Sequence, residues 1–224
     1  MSNSGTRTHL RQRRIMSYFV EAADEIIKQE GLSAVTTRKV ADKAGYTSAT
    51  LYNYFDNLNH LIFIASMTRL IDYYDEVNRR VKKCKNPMEV FLTISECFCE
   101  YSFRDPELYS LLFFDNAISD KVEVYTQQYY ELFPVDKKNG HPTLGKMVGI
   151  NNIYNRSLIM VMACADEGYF TEENARDFNE IAMLIFRGIL KEVREGTITA
   201  TEGTAKNMKY YRQLMGFYAN KKLD

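Results

Sequence analysis

Apolar residues recur at spacings of three and four along almost the whole chain, and strict apolar/polar alternation bounded by turn residues is hard to find. That pattern predicts an all-α fold. Ile15, Phe19, Ala22, Ala23, Ile26 and Ile27 draw one apolar stripe along a helix from about 11 to 30, closed by Gly31. A short helix is predicted from Thr36 to Ala44, a second after Thr47, and a long one over about 57–83 that would bridge two halves of the molecule. Beyond Pro87 the periodicity predicts helices at about 88–102, 106–131, 145–166, 171–195 and 202–219, with 133–145 as the longest loop.

The stretch TTRKVADKAGYTSATLYNYF, residues 36–55, meets several demands of a helix-turn-helix at once. Thr36 is a good N-cap, Ala41 is small where two helices must cross, Gly45 suits the turn, and Leu51 falls where the second helix must reach the core. That second helix, capped by Thr47, is crowded with Ser48, Ala49, Thr50, Tyr52, Asn53 and Tyr54. Hydroxyls suit phosphate oxygens, Asn53 can bond an adenine edge through two atoms, and Ala49 can meet a thymine methyl. Arg38 and Lys39 open the supporting helix, and Arg7, Arg11, Arg13 and Arg14 form an acid-free leader, read either as a strand of charge along the DNA or as a solvated tail. The bland alternative is a three-helix packing unit with Tyr52 and Tyr54 half-buried. An exposed, tyrosine-rich, uncharged short helix argues against it.

From about Arg13 to Leu61, and most specifically in LSAVTTRKVADKAGYTSATLYNYF, the chain resembles the DNA-binding domain of TetR-family regulators. The resemblance implies a helix-turn-helix DNA-binding domain over 1–56 and a helical effector-binding and dimerisation domain over 57–224. It implies that Thr36, Thr37, Tyr52 and Tyr54 engage phosphates, that Arg38, Ser48, Ala49 and Asn53 approach bases, and that Thr50 serves either class. Leu58 stands where the family usually carries a lysine, so one customary ionic contact is expected to be missing.

Composition narrows the function classes. With 29 basic and 29 acidic residues the chain has no net charge, so DNA binding must rely on local patches. No signal peptide and no apolar run of membrane-span length is evident, which leads us to expect a cytoplasmic protein. Cys84, Cys97, Cys99 and Cys164 lack paired C-x-x-C spacing and His9, His60 and His141 lie far from them, so buried reduced thiols are expected rather than a metal site, and no cofactor. There is no H-E-x-x-H, no phosphate-cradling glycine loop and no convincing nucleophile motif, which argues against an enzyme.

One reading helix covers only a few base pairs, so a homodimer on a palindromic operator is expected, its two helices about 34–36 Å apart. The candidate interface is the pair of apolar stripes at Phe178, Ile181, Ile185, Gly188 and Ile189, then Tyr211, Leu214, Met215 and Tyr218, with Gly188 allowing close approach. The resemblance adds that the last two helices of TetR-like proteins form the dimer seam. Phe98, Tyr101, Phe113, Tyr129, Tyr154 and Met162 are candidate lining for a small, mostly apolar effector. By resemblance, such an effector would release a repressor by biasing the bridging helix. The alternative is a DNA-bound dimeric structural or protein-recruiting factor with a closed core.

Overall fold

The computed structural model describes residues 3–114, 121–134, 141–147, 150 and 152–220, with the side chains of 3–9 left aside. Every regular element among the described residues is helical: α1 (Asn3–Glu30), a 3-10 turn (Leu32–Ala34), α2 (Thr37–Ala44), α3 (Ser48–Tyr52), α4 (Leu58–Thr68), α5 (Leu70–Val81), α6 (Pro87–Arg104), α7 (Pro106–Phe114), α8 (Val122–Leu132), α9 (Pro142–Met147), α10 (Ile153–Asp166), α11 (Glu172–Arg194) and α12 (Ala200–Tyr218). The all-α expectation therefore holds. The differences lie in where helices stop.

The long helix expected over 57–83 is two helices. The amide of Arg69 bonds the carbonyls of Ser66 and Met67, tightening the last turn of α4 before α5 begins. The helix expected over 106–131 is likewise α7 and α8, and that over 145–166 is α9 and α10, with Pro142 opening α9 inside the segment expected to be loop. At the amino terminus α1 begins at Asn3, so the arginine leader is helical and continuous with α1.

The chain folds as two compact units, Met1–Leu70 with Phe114–Val135, and Ile71–Phe113 with Asp136–Asp224. The first compact unit thus runs through α4 to Leu70 and takes in α8 from the middle of the chain. The reason lies in α4. His60, Leu61, Ile62, Phe63, Ile64, Ala65, Ser66 and Met67 are all buried, and a helix apolar on every side must be covered on every side. Helix α1 covers one flank and α8 another. From α1, Ile15, Phe19, Val20, Ala23, Ile26 and Ile27 enter this core.

In the second unit α6 is central and packs on α10, α11 and α12. Phe91, Phe178 and Tyr211 form one aromatic cluster, and Phe98, Phe103 and Phe186 another. Gly203 marks the tightest approach. A Cβ there would stand 2.7 Å from Val193 Cγ2 and 3.2 Å from Phe103 Cδ2. At Gly188 nothing in the chain itself would lie within 4 Å of an added Cβ.

Candidate nucleic-acid interface

Local rules build the reading segment. Thr36 is extended (φ −130°, ψ 150°) and its hydroxyl accepts the Lys39 amide at 3.2 Å, which starts α2. Gly45 is left-handed (φ 76°, ψ 28°), and the Tyr46 amide bonds the Ala41 carbonyl at 2.9 Å to close the turn. Thr47 repeats the capping device, its hydroxyl accepting the Thr50 amide at 3.2 Å. Leu51 and Phe55 then anchor α3, both fully buried, with Phe55 edge-on to Phe19 of α1. A helix of five residues is too short to persist alone. These two anchors, and Val40 and Ala41 of α2, hold it.

The face left outward carries Thr36, Arg38, Thr47, Ala49, Tyr52 and Asn53 as exposed residues, with Thr37, Ser48, Thr50 and Tyr54 half-buried beside them. The ten expected DNA-contact positions therefore lie along α2, the turn and α3. Four of their hydroxyls are paired: Thr37 shares a hydrogen bond with Tyr52 at 3.1 Å, and Thr47 with Thr50 at 2.9 Å. The first pair ties α2 to α3 at the surface. Asn53 is the C-cap of α3, in right-handed helical conformation.

The basic flanks are less available than their sequence positions suggest. Lys39 pairs with Glu30 and Lys43 with Glu25, each at 2.7 Å, while Arg38 meets Asp42 only at 3.8 Å. Arg13 of the leader donates to the Leu132 carbonyl at 3.1 Å and so caps the end of α8. Arg11 and Arg14 stay exposed.

A cluster that the linear pattern did not reveal sits just after α3. The Asp56 carboxylate accepts from Lys121 Nζ at 2.6 Å and from the Tyr125 hydroxyl at 3.0 Å, both on one oxygen. The Asp56 amide donates to His60 Nδ1 at 3.1 Å, and the His60 ring stacks on Tyr125 with centroids 3.7 Å apart and planes 5° off parallel. Lys121 and Tyr125 hold the Asp56 carboxyl below its usual range, while burial pushes His60 below the ordinary histidine value. The available signal was the apolar run LIFIA at 61–65, which demands a second cover for α4.

In the second unit a cavity of about 20 Å³ is lined by Phe98, Met147, Arg156, Met160, Met183 and Phe186, among others. That is roughly the space of one water. Arg156 is 2% exposed, with its guanidinium 5.6 Å from the Tyr74 ring centroid and 5.5 Å from that of Phe113. Met160 also borders an outer recess of about 250 Å³ beside Cys84, Lys85, Pro87, His141 and Thr143.

Of the expected lining residues, Phe98 borders the cavity and Phe113 reaches it through Arg156. Tyr129 belongs to the other unit, edge-on to Tyr130 and tilted against Phe133, because α8 covers α4. Tyr101 bonds the Asp72 carbonyl at the surface, and Tyr154 and Met162 are half-buried outside the lining.

The expected interface residues divide by face. Phe178, Ile189, Tyr211 and Met215 are buried within their own chain, Phe178 and Tyr211 against Phe91 of α6 and against each other. Ile181, Ile185, Leu214 and Tyr218 are half-buried and Gly188 is exposed. On the same two helices, Leu184 is 63% and Phe217 85% exposed, neither of them in the predicted stripes.

The thiols of Cys97 and Cys164 are pushed up to about 12 by burial, and that of Cys99 well above its ordinary value for the same reason. Among the described residues, no group of three His, Cys, Asp or Glu side chains is placed to hold a metal, and no helix is long and apolar enough to cross a membrane.

Residues 19–63 match the family model of bacterial regulatory proteins, tetR family. No curated protein matches the chain in sequence. Among solved structures, Thermus thermophilus FadR, a TetR-family transcriptional repressor in complex with lauroyl-CoA, is similar with TM-score 0.58 and 14% identity, over 93% of this chain and 98% of that one. A Mesorhizobium loti protein described as a TetR-family transcriptional regulator matches with TM-score 0.57 and 14% identity over the same shares. The fatty acid degradation regulator FadR from Bacillus halodurans matches with TM-score 0.54 and 14% identity, over 89% and 94%. At these identities the likeness is one of fold, and the family model supplies the sequence evidence. Residues 19–63 thus carry the sequence pattern of the tetR family of bacterial regulatory proteins, and the chain shares the fold of solved TetR-family regulators.

Proposed function

We propose that the chain is a homodimeric repressor that reads a palindromic operator through α3 and is released from it by a small, mostly apolar effector held in the second unit. The observation that carries the DNA reading is the outward face of α2 and α3: exposed Ala49, Tyr52 and Asn53 beside paired threonine and tyrosine hydroxyls, on a helix locked by Leu51 and Phe55. Hydroxyls set register on phosphates, Arg38, Ser48, Ala49 and Asn53 approach base edges, and Thr50 serves either set.

Footprinting on the intergenic DNA beside the gene tests this. A protected inverted repeat is expected, with half-sites one helical turn apart or a multiple of it. Protection that spreads without sequence preference would sink the operator reading.

For the dimer, the outward stripe Ile181, Leu184, Ile185 and Gly188 on α11, with Leu214, Phe217 and Tyr218 on α12, presents a connected apolar surface. Leu184→Glu combined with Phe217→Glu should give a monomer by sedimentation and lose operator binding. A dimer that survives both changes would move the seam elsewhere.

The effector reading is supported by the Met-lined cavity around Arg156. Flexible methionines can move aside, and displacing Met160 would join the inner cavity to the 250 Å³ recess. Arg156 would anchor the polar end of a ligand. The lauroyl-CoA bound by the Thermus relative makes acyl compounds the first class to screen. The effector must bind the DNA-incompetent state more tightly, and DNA must then weaken effector binding by the same factor. The present volume of about 20 Å³ favours a second reading, a closed core with no effector. A screen in which no compound raises the unfolding midpoint or dissolves the footprint would decide for it.

A further inference from the structure

A carboxylate beside a DNA-reading helix is a liability, and the chain carries one. Asp56 lies two residues beyond Tyr54 and next to the N-cap of α4, with its side chain 49% exposed. An unscreened negative charge there would repel phosphates within roughly 10 Å, the Debye length near 0.1 M salt. Leu58, the first residue of α4, offers no compensating charge. The lysines of α2 are engaged by Glu25 and Glu30.

The compensation comes from α8, whose leading residue in this contact is 65 positions away in sequence. Lys121 pairs with Asp56 at 2.6 Å while keeping 57% of its own side chain exposed, and Tyr125, one turn on, donates to the same oxygen. The stack of Tyr125 on His60 fixes the start of α8, and Arg13 fixes its other end at Leu132. Placement of the cation is therefore built by packing at both ends of a helix, which a chance surface ion pair lacks.

We propose that Lys121 is a charge mask for the DNA face: docked α8 neutralises Asp56, and operator affinity depends on that neutralisation. The proposal rests on the DNA-binding reading above.

The test is a double-mutant cycle on the footprinted operator duplex at 0.1 M salt, with unfolding midpoints measured alongside. Lys121→Ala should weaken binding about five- to tenfold, with a loss that shrinks as salt rises. Lys121→Arg should bind within about twofold of wild type, Asp56→Asn at least as tightly as wild type, and the Lys121→Ala/Asp56→Asn double variant within about twofold of it. Recovery in the double variant is the diagnostic result, since it restores neutrality without restoring the bond. Unchanged affinity in Lys121→Ala would overturn the mask. So would a double variant as weak as Lys121→Ala, which would make the pair a structural latch. A wild-type chain that binds no DNA would overturn the DNA reading and the mask together, whereas tight wild-type binding with an indifferent Lys121→Ala overturns the mask alone.

Discussion

The two units place their polar chemistry on opposite sides of their cores. In the first, the functional groups of α2 and α3 lie on the surface, where caps and hydroxyl pairs satisfy them locally, and the core beneath is apolar save for His60, Ser66 and Thr126. In the second, polar groups are sunk into the aromatic interior, with Arg156, Asn179 and Asn207 all buried. A surface site needs a rigid base and works as it stands. On the proposed effector reading an interior site must be opened, which the adaptable methionines around the small cavity would allow.

The largest expected effect would break the rigid side of this contrast. Phe55→Ala removes a fully buried ring that ties α3 to α1, and should cost about 3–5 kcal/mol of stability by chemical denaturation and abolish operator binding. Loss of stability with intact binding would show that α3 does not depend on this anchor. Gly203→Ala probes the other unit. The added methyl would meet Val193 at 2.7 Å, so a loss of about 1–3 kcal/mol is expected. A neutral result would mean that α11 and α12 slide apart easily, and that the second unit is looser than its packing implies.

Thr47→Ala sharpens the comparison from the surface. Removing the cap that starts α3 should cost about 1 kcal/mol and weaken operator binding beyond that, because the Thr50 hydroxyl loses its partner too. Equal losses in stability and affinity would reduce Thr47 to a cap alone.

The smallest effect is a pH dependence. Buried His60 stays neutral in the fold and its Nδ1 must accept the Asp56 amide, so the unfolded chain takes up a proton first as pH falls. Its contribution is whole above about 6.5 and is lost as pH falls through the lowered folded value. The Asp56 carboxyl, held low by Lys121 and Tyr125, changes only below the ordinary carboxylate range and leaves that window clear. The unfolding midpoint should therefore drop between pH 6.5 and 5, and drop less in His60→Gln. Identical slopes would assign the dependence to other groups.

Legibility in the linear pattern differed between the same two regions. Thr36, Gly45, Thr47 and Leu51 were readable because a cap, a turn and an anchor act over three to five residues. The stripe on α11 was ambiguous because that helix is apolar on two faces: Phe178, Ala182, Phe186 and Ile189 point inward, and Ile181, Leu184 and Ile185 outward. Periodicity reports that a face is apolar and is silent about what covers it. Tyr129 illustrates the same limit, since the pattern offers it as pocket lining while packing places it in the first unit, on the helix that covers α4.

The sequence by itself determined the helical class, the helix-turn-helix and the residues on its outer face, since these follow from backbone propensity and hydrogen bonds between near neighbours. Only the tertiary structure decided that α8 returns to cover α4, that Lys121 meets Asp56 across 65 positions, and that a charged Arg156 is enclosed by aromatic rings and methionines. Those outcomes depend on which apolar faces bury each other, a choice made among distant segments by the whole core at once.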